Sequence, residues 1–147
     1  MWFPITTLAQ NLSEPNQYET KFNGHEVGYA QGAGLGFYYR YIGNDFGVQA
    51  TVFPLLLGRS YFINTSIHGL AKIAERPKAD FLIAVGSNFS FVPGDHAVSP
   101  QFGFIFKFKY PDSHFVWDIG LMATAIFNQN EFLVLFPIPS FSLGYRF

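Results

Sequence analysis

The chain has no cysteine. That removes disulfides, thiol catalysis and any zinc site built on thiolates. Charge is also scarce. Asp, Glu, Lys and Arg make up 13% of the 147 residues, about half the share of an ordinary soluble domain. A domain of this size must cover a large surface with polar groups, and few are available. There is no basic stretch, and the net charge is −1, so nucleic acid is not an expected partner. No run approaches the ~20 apolar residues of a transmembrane helix.

What is present in excess is aromatic: 20% of residues, including 19 Phe. The segment up to about Asn23 is polar and irregular, and "MWFPITTLAQ" reads as the end of a trimmed signal or as the first mature residues. We divide the chain into residues 1–25, an irregular N-terminal segment with a signal remnant or a first strand, and 26–147, the folded domain. From Gly34 strand-like runs alternate with turn residues. They are 34–42, 46–57, 60–73, 80–92, 100–110, 114–127 and a last strand ending at Phe147. The punctuation is "GND", "GR", "AERPKA", "PGDHAVS", "PDS" and "NQNE". Helical periodicity is missing.

The period is two. Phe102, Phe104, Phe106, Phe108 and Tyr110 share one face; Gln101, Gly103, Ile105, Lys107 and Lys109 share the other. Phe115, Trp117, Ile119 and Leu121 oppose Asp118, Gly120 and Thr124. Such alternation fits a soluble barrel with its apolar face inward. It also fits a transmembrane barrel with its apolar face toward lipid. Composition separates the two. A water-facing surface is rich in Lys, Glu, Asp and Arg, whereas this polar face is mostly Gly, Ser and Asn with few, mixed charges. Small side chains and charges that must pair suit a narrow lumen. The expected fold is all-β: an antiparallel up-and-down transmembrane β-barrel of about 8 strands.

The chain ends "SFSLGYRF". Phe141, Leu143, Tyr145 and Phe147 alternate up to a terminal aromatic. This resembles the last strand of bacterial outer-membrane β-barrel proteins, and the "FPIP…GYRF" ending resembles small barrels of the chlamydial type. The resemblance implies a bacterial outer-membrane location. It implies that these four residues form the signal read by the barrel-assembly machinery, with the C-terminus at the periplasmic rim. The strand ends at Ile42, Ile73, Tyr110 and Phe147 then share that rim. Pro54, Pro93, Pro100, Pro137 and Pro139 fall at the opposite rim, where a missing N–H is tolerated.

Seven strands are visible, and single-chain barrels have an even number. Either an eighth lies before Gly34, within 2–12 or 18–30, or 131–139 forms a short seventh strand and every earlier strand reverses direction. Eight strands give a lumen filled by side chains.

The expected lumen network comprises Arg40, Asn64, Lys72, Asp80, Lys107, Lys109, Asp118 and Arg146. Asn64, Ser66 and His68 share one face of one strand, with steps of about 7 Å. Ser66 and His68, with Asp80 or Asp118, have the residue types of a nucleophile, base and orienting acid. Outer-membrane lipid A deacylases carry a His-x-Ser-Asn motif; here the order is reversed, and lumen hydrogen bonding is the plainer reading. His25, His96 and His114 sit among turns, and no metal or cofactor is expected. The preferred function is a non-catalytic envelope or surface barrel, or a very narrow conduit. The alternatives are a lipid A-modifying enzyme and a soluble, lipocalin-like lipid carrier. Expected partners are outer-membrane lipid and lipopolysaccharide and the assembly machinery, with the barrel a monomer.

Overall fold

The computed structural model describes residues 24–32, 35–58, 60–110, 112–128 and 131–147. The expectations for 1–23 lie outside them. Eight strands follow one another round a closed barrel: β1 (Gly24–Gln31), β2 (Gly36–Ile42), β3 (Phe46–Leu57), β4 (Ser60–Arg76), β5 (Ala79–Val92), β6 (Asp95–Phe108), β7 (Phe115–Asn128) and β8 (Glu131–Arg146). Neighbours are antiparallel, and β1 pairs with β8, with Glu26 opposite Arg146, to close the wall. The strand needed before Gly34 is β1. Residues 131–139 belong to the same strand as the C-terminus, so the reversed arrangement does not occur.

The period of two becomes two faces of one wall. Phe102, Phe104 and Phe106 are 50%, 47% and 48% exposed, while Gln101, Gly103, Ile105 and Lys107 between them are buried. The phenylalanines point outward and the lysine points inward. That is the reverse of a soluble barrel, so the lipocalin-like interior is not what these residues build. The lumen is also not wholly polar. Ile42, Leu70, Leu82, Ala84, Ile105 and Met122 form a buried apolar cluster inside it.

The two rims differ. At the rim holding the C-terminus, aromatics stack around the strand ends: Phe108 on Trp117 at 4.0 Å, His114 on Tyr145 at 5.2 Å and His25 on Phe147 at 5.9 Å. Strand β4 overshoots Ile73 and ends at Arg76. At the far rim the β5–β6 turn is tighter than "PGDHAVS" suggests. Val92 already pairs with Asp95, and only Pro93 and Gly94 lie between. Gly94 adopts φ +83°, the value that a type II turn with proline at its first central position needs at the second and that glycine supplies.

The prolines correct the sequence reading. Of the five prolines assigned to the far rim, only Pro93 lies in a turn; Pro54, Pro100, Pro137 and Pro139 lie within strands. The reason is that the ladders do not run to the far rim. Among the described residues, β2–β3 pairing ends at Phe37–Val52, β6–β7 at Gln101–Thr124 and β8–β1 at Gln31–Phe141. Beyond those points β3, β6, β7 and β8 each have an open edge. Pro54, Pro100, Pro137 and Pro139 stand on such edge segments, where a strand can do without a donor. The barrel is closed below and split above into a β3–β6 sheet and a β7–β8 hairpin.

Candidate functional site

Strand alternation aims Glu26, Arg40, Gln49, Lys107, Asp118 and Ser142 into the lumen from six strands, and all are buried. They form one network. Arg40 Nη1 donates to Asp118 Oδ2 at 2.6 Å and to Glu26 Oε2 at 3.4 Å. Arg40 Nε donates to Gln49 Oε1 at 2.8 Å. The Lys107 ammonium is paired with Glu26 Oε1, and Ser142 Oγ donates to Asp118 Oδ2 at 2.5 Å. The Arg40 guanidinium also lies 4.9 Å from the centre of the Tyr38 ring, within cation–π range. Two cations meet two carboxylates. Desolvating an ion costs several kcal/mol, so such charges are tolerable only when paired and hydrogen-bonded.

A second balanced set lies nearer the C-terminal rim. Lys109 Nζ is 2.6 Å from Asp80 Oδ1 and 3.0 Å from Glu75 Oε1, and Lys72 Nζ is 3.3 Å from Glu75 Oε2. A β-bulge between Lys72 and Ala74 in β4 explains how Glu75 takes part. Simple alternation puts Glu75 on the face of Ile73, away from Lys72. One extra residue in the bulge swaps the faces, and Glu75 reaches the lysines.

Toward the far rim the lumen carries neutral polar groups. His68, Gly86, Gln101 and Thr124 lie side by side across four strands. His68 Nε2 donates to Gln101 Oε1 at 2.9 Å, and Gln101 Nε2 donates to Thr124 Oγ1 at 2.8 Å. Gly86 makes this possible, since a Cβ there would collide with the Ile67 carbonyl and the His68 backbone. Ser66 and Thr51 share a hydrogen bond of 2.5 Å, and Asn64 Nδ2 donates to Ser90 Oγ at 3.0 Å.

The residues named from the sequence are thus sorted as follows. Arg40, Lys107 and Asp118 meet in the central network, Lys72, Asp80 and Lys109 in the rim set, and Asn64 stands apart near the far rim. Arg146 is at the C-terminal rim, its Nη2 3.4 Å from the Ser113 carbonyl. Ser66 and His68 are buried and engaged with Thr51 and Gln101. Phe141, Leu143, Tyr145 and Phe147 all project outward. Glu26, Glu75 and Gln49 are not among the residues named from the sequence, and the sequence places Gln101 on the polar face without a role. Arg40 and Lys107 did signal a missing acid, because two inward cations cannot share Asp118 alone.

No protein-family model matches this chain, and no curated protein sequence does. Solved structures of an outer-membrane protein of Yersinia pestis do. The crystal structure of Ail, the attachment invasion locus protein, in complex with the heparin analogue sucrose octasulfate superposes with a TM-score of 0.50 at 18% identity, covering 85% of this chain and 97% of that one. A second Ail crystal structure gives 0.47 at 19% identity, covering 85% and 99%. Ail in a phospholipid bilayer nanodisc gives 0.46 at 18%, covering 84% and 99%. At these identities the likeness is one of fold: an eight-stranded antiparallel barrel. The direction of the side chains is this chain's own evidence, with an aromatic outer wall around a charge-paired interior.

Proposed function

We propose that the protein is an integral bacterial outer-membrane barrel whose role is structural or surface-exposed rather than catalytic. The observation that carries this reading is the inside-out wall. Phe102, Phe104 and Phe106 occupy the outside while Lys107, Arg40 and Asp118 are buried within. An apolar belt of this kind needs lipid around it, and a paired lumen needs none of its charges in water. The side chains of the central network and the apolar cluster are buried inside the closed part of the barrel, which favours a plugged barrel over an open conduit. Phe141, Leu143, Tyr145 and Phe147, outward on the last strand, are suited to recognition by an assembly machine that pairs with that strand. The far rim is then the cell-surface side.

Catalysis by Ser66 and His68 is the weaker reading. His68 Nδ1 has no hydrogen-bond partner, whereas a catalytic histidine has an acid there to hold it. Asp80 and Asp118 are committed to Lys109 and Arg40. The sulfated sugar bound by Ail does not transfer, because the described far-rim turn residues include Asp95 and His96 but no cluster of lysine or arginine.

Refolding the chain into detergent micelles and into plain buffer tests the proposal. We expect a β-rich species whose gel mobility changes on boiling, formed only with detergent, with no lipid A deacylation and no ionic conductance in planar bilayers. Folding in buffer alone overturns the membrane reading. Deacylation lost in Ser66→Ala restores the enzyme.

A further inference from the structure

The split upper half of the barrel has an inner face that no function so far uses. On lumen-side positions of the β3–β6 sheet stand Phe53, Leu55, Phe62 and Val92; on those of the β7–β8 hairpin stand Ile126, Val134, Phe136 and Ile138. Leu55, Val92, Ile126, Val134 and Phe136 are exposed. The barrel therefore has a mouth that is apolar on β3, β4, β5, β7 and β8 and carries Asp95, Ala97 and Ser99 on β6, above a polar floor made by Asn64, Ser90, His68 and Gln101. Ser90 of that floor is two residues below Val92, roughly 7 Å along the strand, and Asn64 lies level with Phe53 across the β3–β4 ladder.

The wall around that mouth is uneven. Strands β1 and β2 have 8 and 7 residues, whereas a membrane-crossing strand needs about 9–11. With its C-terminal rim held at one interface by stacked aromatics, the β1–β2 side stops short of the other interface among the described residues. The gap there, between the open edges of β8 and β3, lies at the depth of the lipid chains. An apolar surface that opens sideways at that depth faces hydrocarbon and not water.

We propose that the mouth takes one acyl chain of an outer-leaflet membrane lipid, admitted over the low β1–β2 wall and stopped by the Asn64–His68–Gln101 floor. This rests on the membrane reading above. The occupant follows from continuity: the outer belt and the mouth form one apolar surface across the gap, and a lipid chain is the apolar group available there. The prolines on the flanking edges discourage a polypeptide from adding as a strand.

The test uses the refolded full chain in nanodiscs containing a phospholipid with a photoreactive diazirine on its acyl chain, and maps the cross-linked residues by mass spectrometry. The outer groove of about 390 Å³ lined by Phe81, Phe104, Phe106, Ile119 and Leu121 serves as an internal control for lipid at the belt. We expect adducts both at that groove and at Phe53, Phe62 or Phe136. Phe53→Ser with Phe136→Ser is expected to lower the mouth adducts about tenfold, as loss of buried apolar contact dictates, and to leave the groove adducts unchanged. Labelling at the groove but not the mouth overturns this inference and leaves the membrane reading standing. Labelling at neither overturns the membrane reading itself.

Discussion

Arg40 Nη1 of β2 stands 2.6 Å from Asp118 Oδ2 of β7, residues 78 apart in the chain and separated round the wall by β1 and β8. The bond crosses the lumen. Lys107 on β6 reaches Glu26 on β1 in the same way, past β7 and β8. Two charged struts tie opposite sides of the barrel together, so the network does more than fill space: it fixes which walls face each other.

Asp118→Ala leaves Arg40 with Glu26, at 3.4 Å, as its only carboxylate beside the neutral Gln49, and leaves Ser142 without its acceptor. Removing one partner of a buried ion pair costs about 3–5 kcal/mol. We expect a loss of that order in urea unfolding from detergent micelles, read by tryptophan fluorescence. Replacing Arg40 by Met together with Asp118 by Leu is expected to cost less than Asp118→Ala alone. Equal or additive losses contradict the strut.

The outward phenylalanines make an opposite-signed prediction for the two environments. Phe104→Arg places a charge on the lipid face, where it costs about 2–4 kcal/mol near the bilayer midplane. Refolding yield into phospholipid vesicles is expected to fall, while Phe104→Leu refolds as well as the parent. If the arginine variant refolds better and is soluble without lipid, the belt faces water.

Much of this was readable before any coordinates. Five aromatics alternating with Gln101, Gly103, Ile105, Lys107 and Lys109 carry the strand, the faces and their chemistry in one line of sequence. Glu26 was hidden because its strand is short and adjoins a segment without pattern. Glu75 was hidden by the bulge, which breaks the parity rule on which every face assignment rests. Leu82 and Ala84 point inward between Phe81, Ile83 and Val85, and apolar residues on both faces erase the alternation that would reveal them. The prolines misled because a barrel was assumed to be closed along its full height.

The proposed plug has two halves, and clearing one is expected to leave the lumen shut. Arg40→Ala with Lys107→Ala removes both struts yet leaves Leu70, Leu82, Ile105 and Met122 in place. We expect no ion conductance from this variant in planar bilayers. Steady single-channel current would mean that the charged residues alone close the lumen.

Phe147 is 65% exposed and stacks on His25. Deleting it is expected to change stability in micelles by about 1 kcal/mol, the worth of one aromatic contact. In cells the same deletion is expected to reduce the amount of heat-modifiable barrel in the outer membrane severalfold. Equal losses in both settings would make Phe147 a packing residue and not part of a recognition signal.

In the proposed outer-membrane setting, the short β1–β2 side also acts on the bilayer. A membrane that meets a tall wall on one flank and a wall lower by on the order of 5–10 Å on the other cannot keep one thickness around the protein. It thins part of the way beside β1 and β2, at a fraction of a kcal/mol for each ångström, and keeps lipid chains at the level of the gap. Two copies that turn their short sides toward each other share one thinned patch instead of making two. The protein therefore has a preferred heading in the plane of the membrane, set by the length of two strands and requiring no contact between the copies.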